Sequence, residues 1–251
     1  MQFLTLSKED IAKVRAELIG KVCGNKCNAT GVLFDGKEFI DCECVTEFKR
    51  RVLFLNAGIP KRYHDFTLDN LTEEFRRTNK KALDFVVHYY NNLQEMLQNG
   101  IGLFIQGKSG LAKSALGYYI LKGALQQNYV AYAIKMSSLT KLIYEALEKQ
   151  EAYDMLAFLR QDVQFLMIDE IEKDYKTSDT STYGGTQVNE FFSSIYDMEK
   201  PLIVTSNVTK NGLRGIQAEN LVDRFSELVD IVLTGESYRK PENAIKRLLS
   251  E

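Results

Sequence analysis

Five short apolar runs, spaced through the last 150 residues, constrain the fold more than any other feature. They read "IGLFIQ" (101–106), "YVAYAI" (129–134), "VQFLMID" (163–169), "PLIVTS" (201–206) and "DIVLT" (230–234). Stretches of helical character separate them, notably 113–126, 137–160 and 186–199. A strand buried on both faces reads as a short continuous apolar run, and strands alternating with helices form a parallel sheet with helices on both faces. A stripe of Leu83, Val86, Val87, Tyr90, Leu93 and Leu97 predicts one more helix, ending before Asn99 and Gly100. Ligands of such sheets bind at the carboxyl ends of the strands. The loop after residue 106 and the positions near 169 and 207 are therefore the places to look for chemistry.

The first fifth of the chain differs. All four cysteines fall between residues 23 and 44, which marks off an N-terminal module over 1–57, ahead of the α/β domain over 58–251. Ser7 and Asp10 predict a helix over 7–19. "GVLFDGKEFI" predicts a hairpin turning on the pair Asp35-Gly36, and "TEFKRRVLFLNAG" a helix capped by Gly58. The start of the chain carries no basic-then-apolar signal pattern, and no run approaches the roughly 20 apolar residues of a membrane span. A cytoplasmic protein with no membrane partner is expected, so the cysteines are reduced thiols or metal ligands rather than disulfides. Cys23-x3-Cys27 and Cys42-x-Cys44 flank the predicted hairpin, and four thiolates make a structural Zn²⁺ site for a module too small for its own core. Four unligated thiols are the alternative. With a net charge of −2 there is no global basic field, and any DNA contact must be local.

The loop after the first apolar run reads Gly107-Lys108-Ser109-Gly110-Leu111-Ala112-Lys113-Ser114. It follows the phosphate-binding pattern G-x-x-x-x-G-K-[ST] except at Ala112, where glycine is expected. Backbone N–H groups from Gly107, Ser109, Gly110, Leu111 and Ala112 through Ala115 would surround the phosphates of ATP, with the helix dipole behind them. Lys113 would reach the β- and γ-phosphates, and Ser114 would hold Mg²⁺. If position 112 needs a positive φ, alanine costs about 1 kcal/mol or somewhat more. "FLMIDEIEK" places Asp169 and Glu170 at a strand end, one carboxylate for the Mg²⁺ shell and the other to orient or deprotonate the attacking water. "IVTSN" places Asn207 where it can position that water. His64 and His88 have no partner pattern for nucleophilic or metal chemistry and read as structural or surface residues.

The ordered set of motifs resembles the DnaC/IstB branch of AAA+ ATPases, the bacterial and phage helicase loaders and their transposase-helper relatives. The likeness runs over about 58–245 and rests on "IPKRYHDFTLDN", the loop, "LMIDEI", "VTSN", "LVDRF" and "GESYR". It implies a three-layer P-loop AAA+ core, slow partner-dependent ATP hydrolysis, and loading of a replicative hexameric helicase onto single-stranded DNA. It implies further that Arg224 is a finger reaching a neighbouring subunit's γ-phosphate, hence self-association into a ring or spiral. By the same likeness Arg239 is a sensor arginine near the nucleotide, and the cysteine module grips the helicase. The alternatives are a transposase-helper ATPase of the IstB type and a regulatory protein that binds ATP without hydrolysing it. In "EKDYKTSDTSTYGGTQ", Lys173, Tyr175, Lys176 and Tyr183 could pair with phosphates and stack on bases of single-stranded DNA; a solvated loop is the plainer reading.

Overall fold

The computed structural model describes residues 6–173, 183–213 and 219–237, apart from the side chains of 183, 184 and 219–221. Arg239, Tyr175, Lys176 and the Tyr183 side chain lie outside the described residues. The chain divides into two compact units, 1–64 and 65–251.

In the first unit α1 (Lys8–Leu18) starts at Ser7, whose hydroxyl accepts from the Asp10 N–H at 3.1 Å. The hairpin pairs β1 (Val32–Phe34) with β2 (Phe39–Asp41), and α2 (Glu43–Asn56) follows. Phe34 pairs with Phe39, so the connection holds four residues rather than the two expected. Asp35 is the cause: its carboxylate accepts from the N–H groups of Lys37 and Glu38 at 2.8 and 2.9 Å, closing the turn with a side chain.

The second unit opens with α3 (Glu73–Thr78), α4 (Lys80–Asn91) and α5 (Leu93–Gln98). The single helix expected over 83–97 breaks at Asn92, whose amide donates to the His88 carbonyl at 2.7 Å and competes with the helical ladder. Then come β3 (Leu103–Gln106), α6 (Lys113–Gln126), β4 (Ala131–Lys135), α7 (Met136–Glu145), α8 (Gln150–Gln161) and β5 (Phe165–Asp169). The remainder is α9 (Tyr183–Asp197), β6 (Leu202–Ser206), α10 (Lys210–Leu213), α11 (Glu219–Phe225) and β7 (Val229–Val232). All five strands β3–β7 are parallel, in the order β4-β5-β6-β3-β7.

The two-residue pleat sorts each strand between two helical layers. Phe104, Leu166, Ile168, Leu202 and Val204 share one core with Leu139 and Ile143 of α7, Leu156 and Leu159 of α8, Phe191 of α9 and Phe225 of α11. Met167 and Ile203 face the other way, onto Gly117 of α6. The stretch 137–160 is two helices rather than one. A straight helix of that length would run about 36 Å, whereas turning back at 146–149 returns Leu156 and Leu159 to the core that Ile143 reaches. Among the described residues no helix is long and apolar enough to cross a membrane.

Candidate nucleotide site and cysteine cluster

Sheet order sets the site. The chain leaves β3 through the loop and α6, goes to the far edge at β4, and returns so that β6 and β7 flank β3. The loop after β3 thus sits beside the end of β6, at the point where strand order reverses. Gly107 has φ +152° and Gly110 φ +85°. The exit of β7 packs against both: a Cβ on Gly107 would lie 2.5 Å from the Leu233 carbonyl, and one on Gly110 2.0 Å from Ser237 Oγ. Ala112 has φ 57° and ψ 14°, the left-handed region, and is the N-cap of α6. Leu111 turns its side chain into the protein, 1% exposed, and Ala115 is also buried; their contribution to a ligand would be backbone N–H groups. Ser109 is exposed at the loop's tip.

The pleat that sends Met167 toward α6 sends Asp169 the same way, and Ile203 sends Thr205 with it. Asp169 is 3% exposed. Its Oδ1 accepts from Ser114 Oγ at 2.7 Å and Thr205 Oγ1 at 2.6 Å, and its Oδ2 from Tyr118 OH at 3.4 Å. Adjacent ligands of an octahedral Mg²⁺ at about 2.1 Å lie about 3 Å apart. The Ser114–Asp169 spacing therefore suits two hard oxygens of one Mg²⁺ shell. Lys113 Nζ donates to the carbonyls of Gly107 (2.7 Å) and Lys108 (2.8 Å) and to Asn207 Oδ1 (2.9 Å). Lys113, Ser114, Asp169 and Asn207 are thus brought together. Glu170 leaves the strand at φ 59°, and its carboxylate pairs with Lys173 at 2.9 Å and Lys135 at 3.7 Å.

Arg224 is placed elsewhere. Its guanidinium lies over the Tyr196 ring, 5.7 Å from the centroid, and Tyr196 OH donates to Glu227 at 2.7 Å. Its Nη1 is buried with no hydrogen-bond partner among the described residues. His64 is buried against Phe54 with Nε2 2.9 Å from the Ile59 carbonyl, and His88 is an exposed helix residue. Sequence reading passed over Thr205, Tyr118 and Lys135. Thr205 was findable as a hydroxyl inside an otherwise apolar strand; Tyr118 and Lys135 carry no local signal, because only the fold brings them to the carboxylates.

The four cysteines converge in the N-terminal unit. Left-handed Gly24 and Asn25 turn the chain between Cys23 and Cys27, and left-handed Asn28 and Ala29 turn it again just after. Cys42 is the N-cap of α2 and Cys44 lies in its first turn. All four are buried, with sulfurs within 4.8 Å of one another; Cys23–Cys27 is 3.5 Å and Cys27–Cys44 3.6 Å. Tetrahedral thiolates at about 2.3 Å from Zn²⁺ stand about 3.8 Å apart, so the donor set fits that ion. The Cys27 backbone N–H helps hold the Cys23 thiol down at about 6, which favours one thiolate at neutral pH.

No family model and no curated protein matches the sequence. Solved structures do match. A DnaC helicase loader is 19% identical, with TM-score 0.59, covering 70% of this chain and 100% of that one. DnaI is 18% identical, with TM-score 0.56, covering 72% and 94%. The replication initiator DnaA, bound to AMPPCP and single-stranded DNA, is 20% identical, with TM-score 0.57; the match covers 76% of this chain and 55% of DnaA. The chain therefore spans about half the length of that initiator. What is shared is the fold of the second unit, a five-stranded parallel sheet flanked by helices.

Proposed function

We propose that the chain is an ATP-dependent loader of a replicative hexameric helicase onto single-stranded DNA. The observation that carries this reading is the convergence of Lys113, Ser114, Asp169 and Asn207 at the ends of three adjacent strands. It is supported by the likeness in fold to the DnaC helicase loader over that protein's whole length, and by AMPPCP and single-stranded DNA on DnaA.

The residues divide the work. Backbone N–H groups from Gly107 to Ala115 hold the phosphates, and Lys113 exchanges its carbonyl partners for the β- and γ-oxygens. Ser114 and Asp169 would hold Mg²⁺, which supplies charge neutralisation at the β,γ-phosphates. Glu170 takes a proton from the attacking water as its oxygen bonds to the γ-phosphorus. The bond to the β-phosphate oxygen breaks, and ADP leaves with that electron pair. For this Glu170 must turn from Lys135 and Lys173 toward the water. Arg224 would serve a neighbouring subunit, so ATP binding would drive assembly on helicase and DNA and hydrolysis would release them. Arg239 would add a second guanidinium near the nucleotide, and the four cysteines would hold a structural Zn²⁺ in the helicase-gripping module. The setting is the cytoplasm.

The double ion pairing of Glu170 favours a second reading, a protein that uses ATP as a structural ligand without turnover. A tagged pull-down from native lysate, with and without ATP, tests the first. The expected result is ATP-dependent recovery of a hexameric helicase together with measurable ATP turnover. Recovery of a transposase would point to a helper ATPase, and tight ATP binding with no turnover in the presence of partner and DNA would establish the second reading.

A further inference from the structure

The turn that follows β5 carries a carboxylate beyond the Asp169–Glu170 pair. Thr205 pins this turn. Its Oγ1 accepts from the Glu170 N–H at 3.0 Å, its carbonyl accepts from the Ile171 N–H at 3.0 Å, and the Glu170 carbonyl accepts from the Lys173 N–H at 2.9 Å. Glu172 is thereby held against Asn207, whose Nδ2 donates to Glu172 Oε1. The other end of the same amide, Oδ1, accepts from Lys113 at 2.9 Å. Glu172 Oε2 is buried with no hydrogen-bond partner among the described residues, an arrangement that stability alone does not favour.

We propose that Glu172 is a positioning residue that fixes which end of the Asn207 amide faces the phosphate loop. The proposal rests on the nucleotide-site reading above. An asparagine amide has an acceptor end and a donor end, and the end presented decides what the residue does. A carboxylate behind Nδ2 makes a charge-assisted bond; the flipped amide would set Oδ1 against that carboxylate and Nδ2 against the Lys113 ammonium. With the polarity fixed, Asn207 does two things that pull in opposite directions. Before nucleotide arrives, Oδ1 competes with phosphate for Lys113 and weakens binding. Once Lys113 has turned to the phosphates, Oδ1 remains as a placed acceptor for an O–H of the attacking water, and turnover gains.

That opposition separates positioning from a merely structural role, which would weaken both. The test uses the full chain with Glu172→Ala, Asn207→Ala and the double variant. AMPPCP affinity is measured by calorimetry, and kcat and KM for ATP in the steady state. Glu172→Ala is expected to bind AMPPCP about threefold tighter while kcat falls about tenfold. Glu172→Gln, which keeps an acceptor for Asn207 Nδ2, should restore most of both. In the Asn207→Ala background the same change should move neither quantity by more than about twofold, because the effect runs through Asn207. Glu172→Met keeps the side chain's length and covers the case in which alanine disturbs the turn. Unchanged or weaker AMPPCP binding, or an equal effect with Asn207 already removed, overturns the proposal. If the wild-type chain binds AMPPCP without hydrolysing ATP, the ATPase reading fails and the binding arm alone decides. If it binds no AMPPCP, the nucleotide reading itself falls and takes the proposal with it.

Discussion

Ala112 shows how much a single methyl group can be asked to explain. The loop follows the phosphate-binding pattern at every fixed position but this one, and the residue sits at φ 57° with its side chain making no capping bond. A left-handed alanine is strained by roughly 1 kcal/mol relative to glycine. The conformation is set by the start of α6 and by the close packing of Gly107 and Gly110 on the exit of β7, so the cost falls on folding rather than on binding. Ala112→Gly should therefore raise the melting temperature by about 2 °C, part of the relief being offset by the greater freedom of glycine in the unfolded chain. AMPPCP affinity, measured by calorimetry on the same two proteins, should agree to within about twofold. A large gain in affinity instead would mean that the methyl group stands in the path of the phosphates.

At the scale of elements, strand and helix were readable wherever burial made the pattern continuous. The five apolar runs became β3 to β7, and the stretch 113–126 became α6 with the same ends. What the sequence could not carry was where helices stop for tertiary reasons, as at Asn92 and at 146–149, or which polar residues meet across strands. Asp169 and Asn207 were visible as strand-end polar residues; the bond from Thr205 and the grip of Lys135 depend on sheet order and pleat, which no local pattern encodes. The cysteine module is the intermediate case. The C-x3-C and C-x-C spacings left metal and free thiols both open, and the fold brings all four sulfurs within 4.8 Å. The hairpin beside them leaves Phe34 and Phe39 61% and 77% exposed, so it adds little core of its own. Structural zinc contributes on the order of 10 kcal/mol in modules of this kind. Cys44→Ser, or a strong chelator, should remove the metal and collapse hydrogen-exchange protection over residues 19–44. Nucleotide affinity of the 65–251 unit should persist. Metal analysis of the untreated protein should give about one zinc per chain, and less than about a tenth would reject the site.

At the scale of the whole molecule, the Arg224 guanidinium keeps one donor without an acceptor among the described residues. Arg224 rests over Tyr196, a contact worth about 0.5–1 kcal/mol at most exposed sites, and its buried Nη1 lacks an acceptor among the described residues. Leaving a cationic donor unmatched is costly; swung off the Tyr196 ring, the guanidinium would offer a neighbouring subunit's phosphate planar, bidentate geometry. If that is its role, nucleotide binding and turnover must separate. Arg224→Ala should bind AMPPCP as the wild type does, because the loop, Lys113 and Ser114 are intact in each chain. Its ATP turnover should fall by at least about a hundredfold, the range for loss of an arginine finger. Wild-type turnover per chain should rise with protein concentration as subunits meet, and that rise should vanish in the variant. An inactive Lys113→Ala chain, which keeps its Arg224, should restore activity when mixed with Arg224→Ala, since one chain brings the nucleotide and the other the guanidinium. Equal turnover in Arg224→Ala and wild type at every concentration would assign Arg224 to the packing around Tyr196 alone.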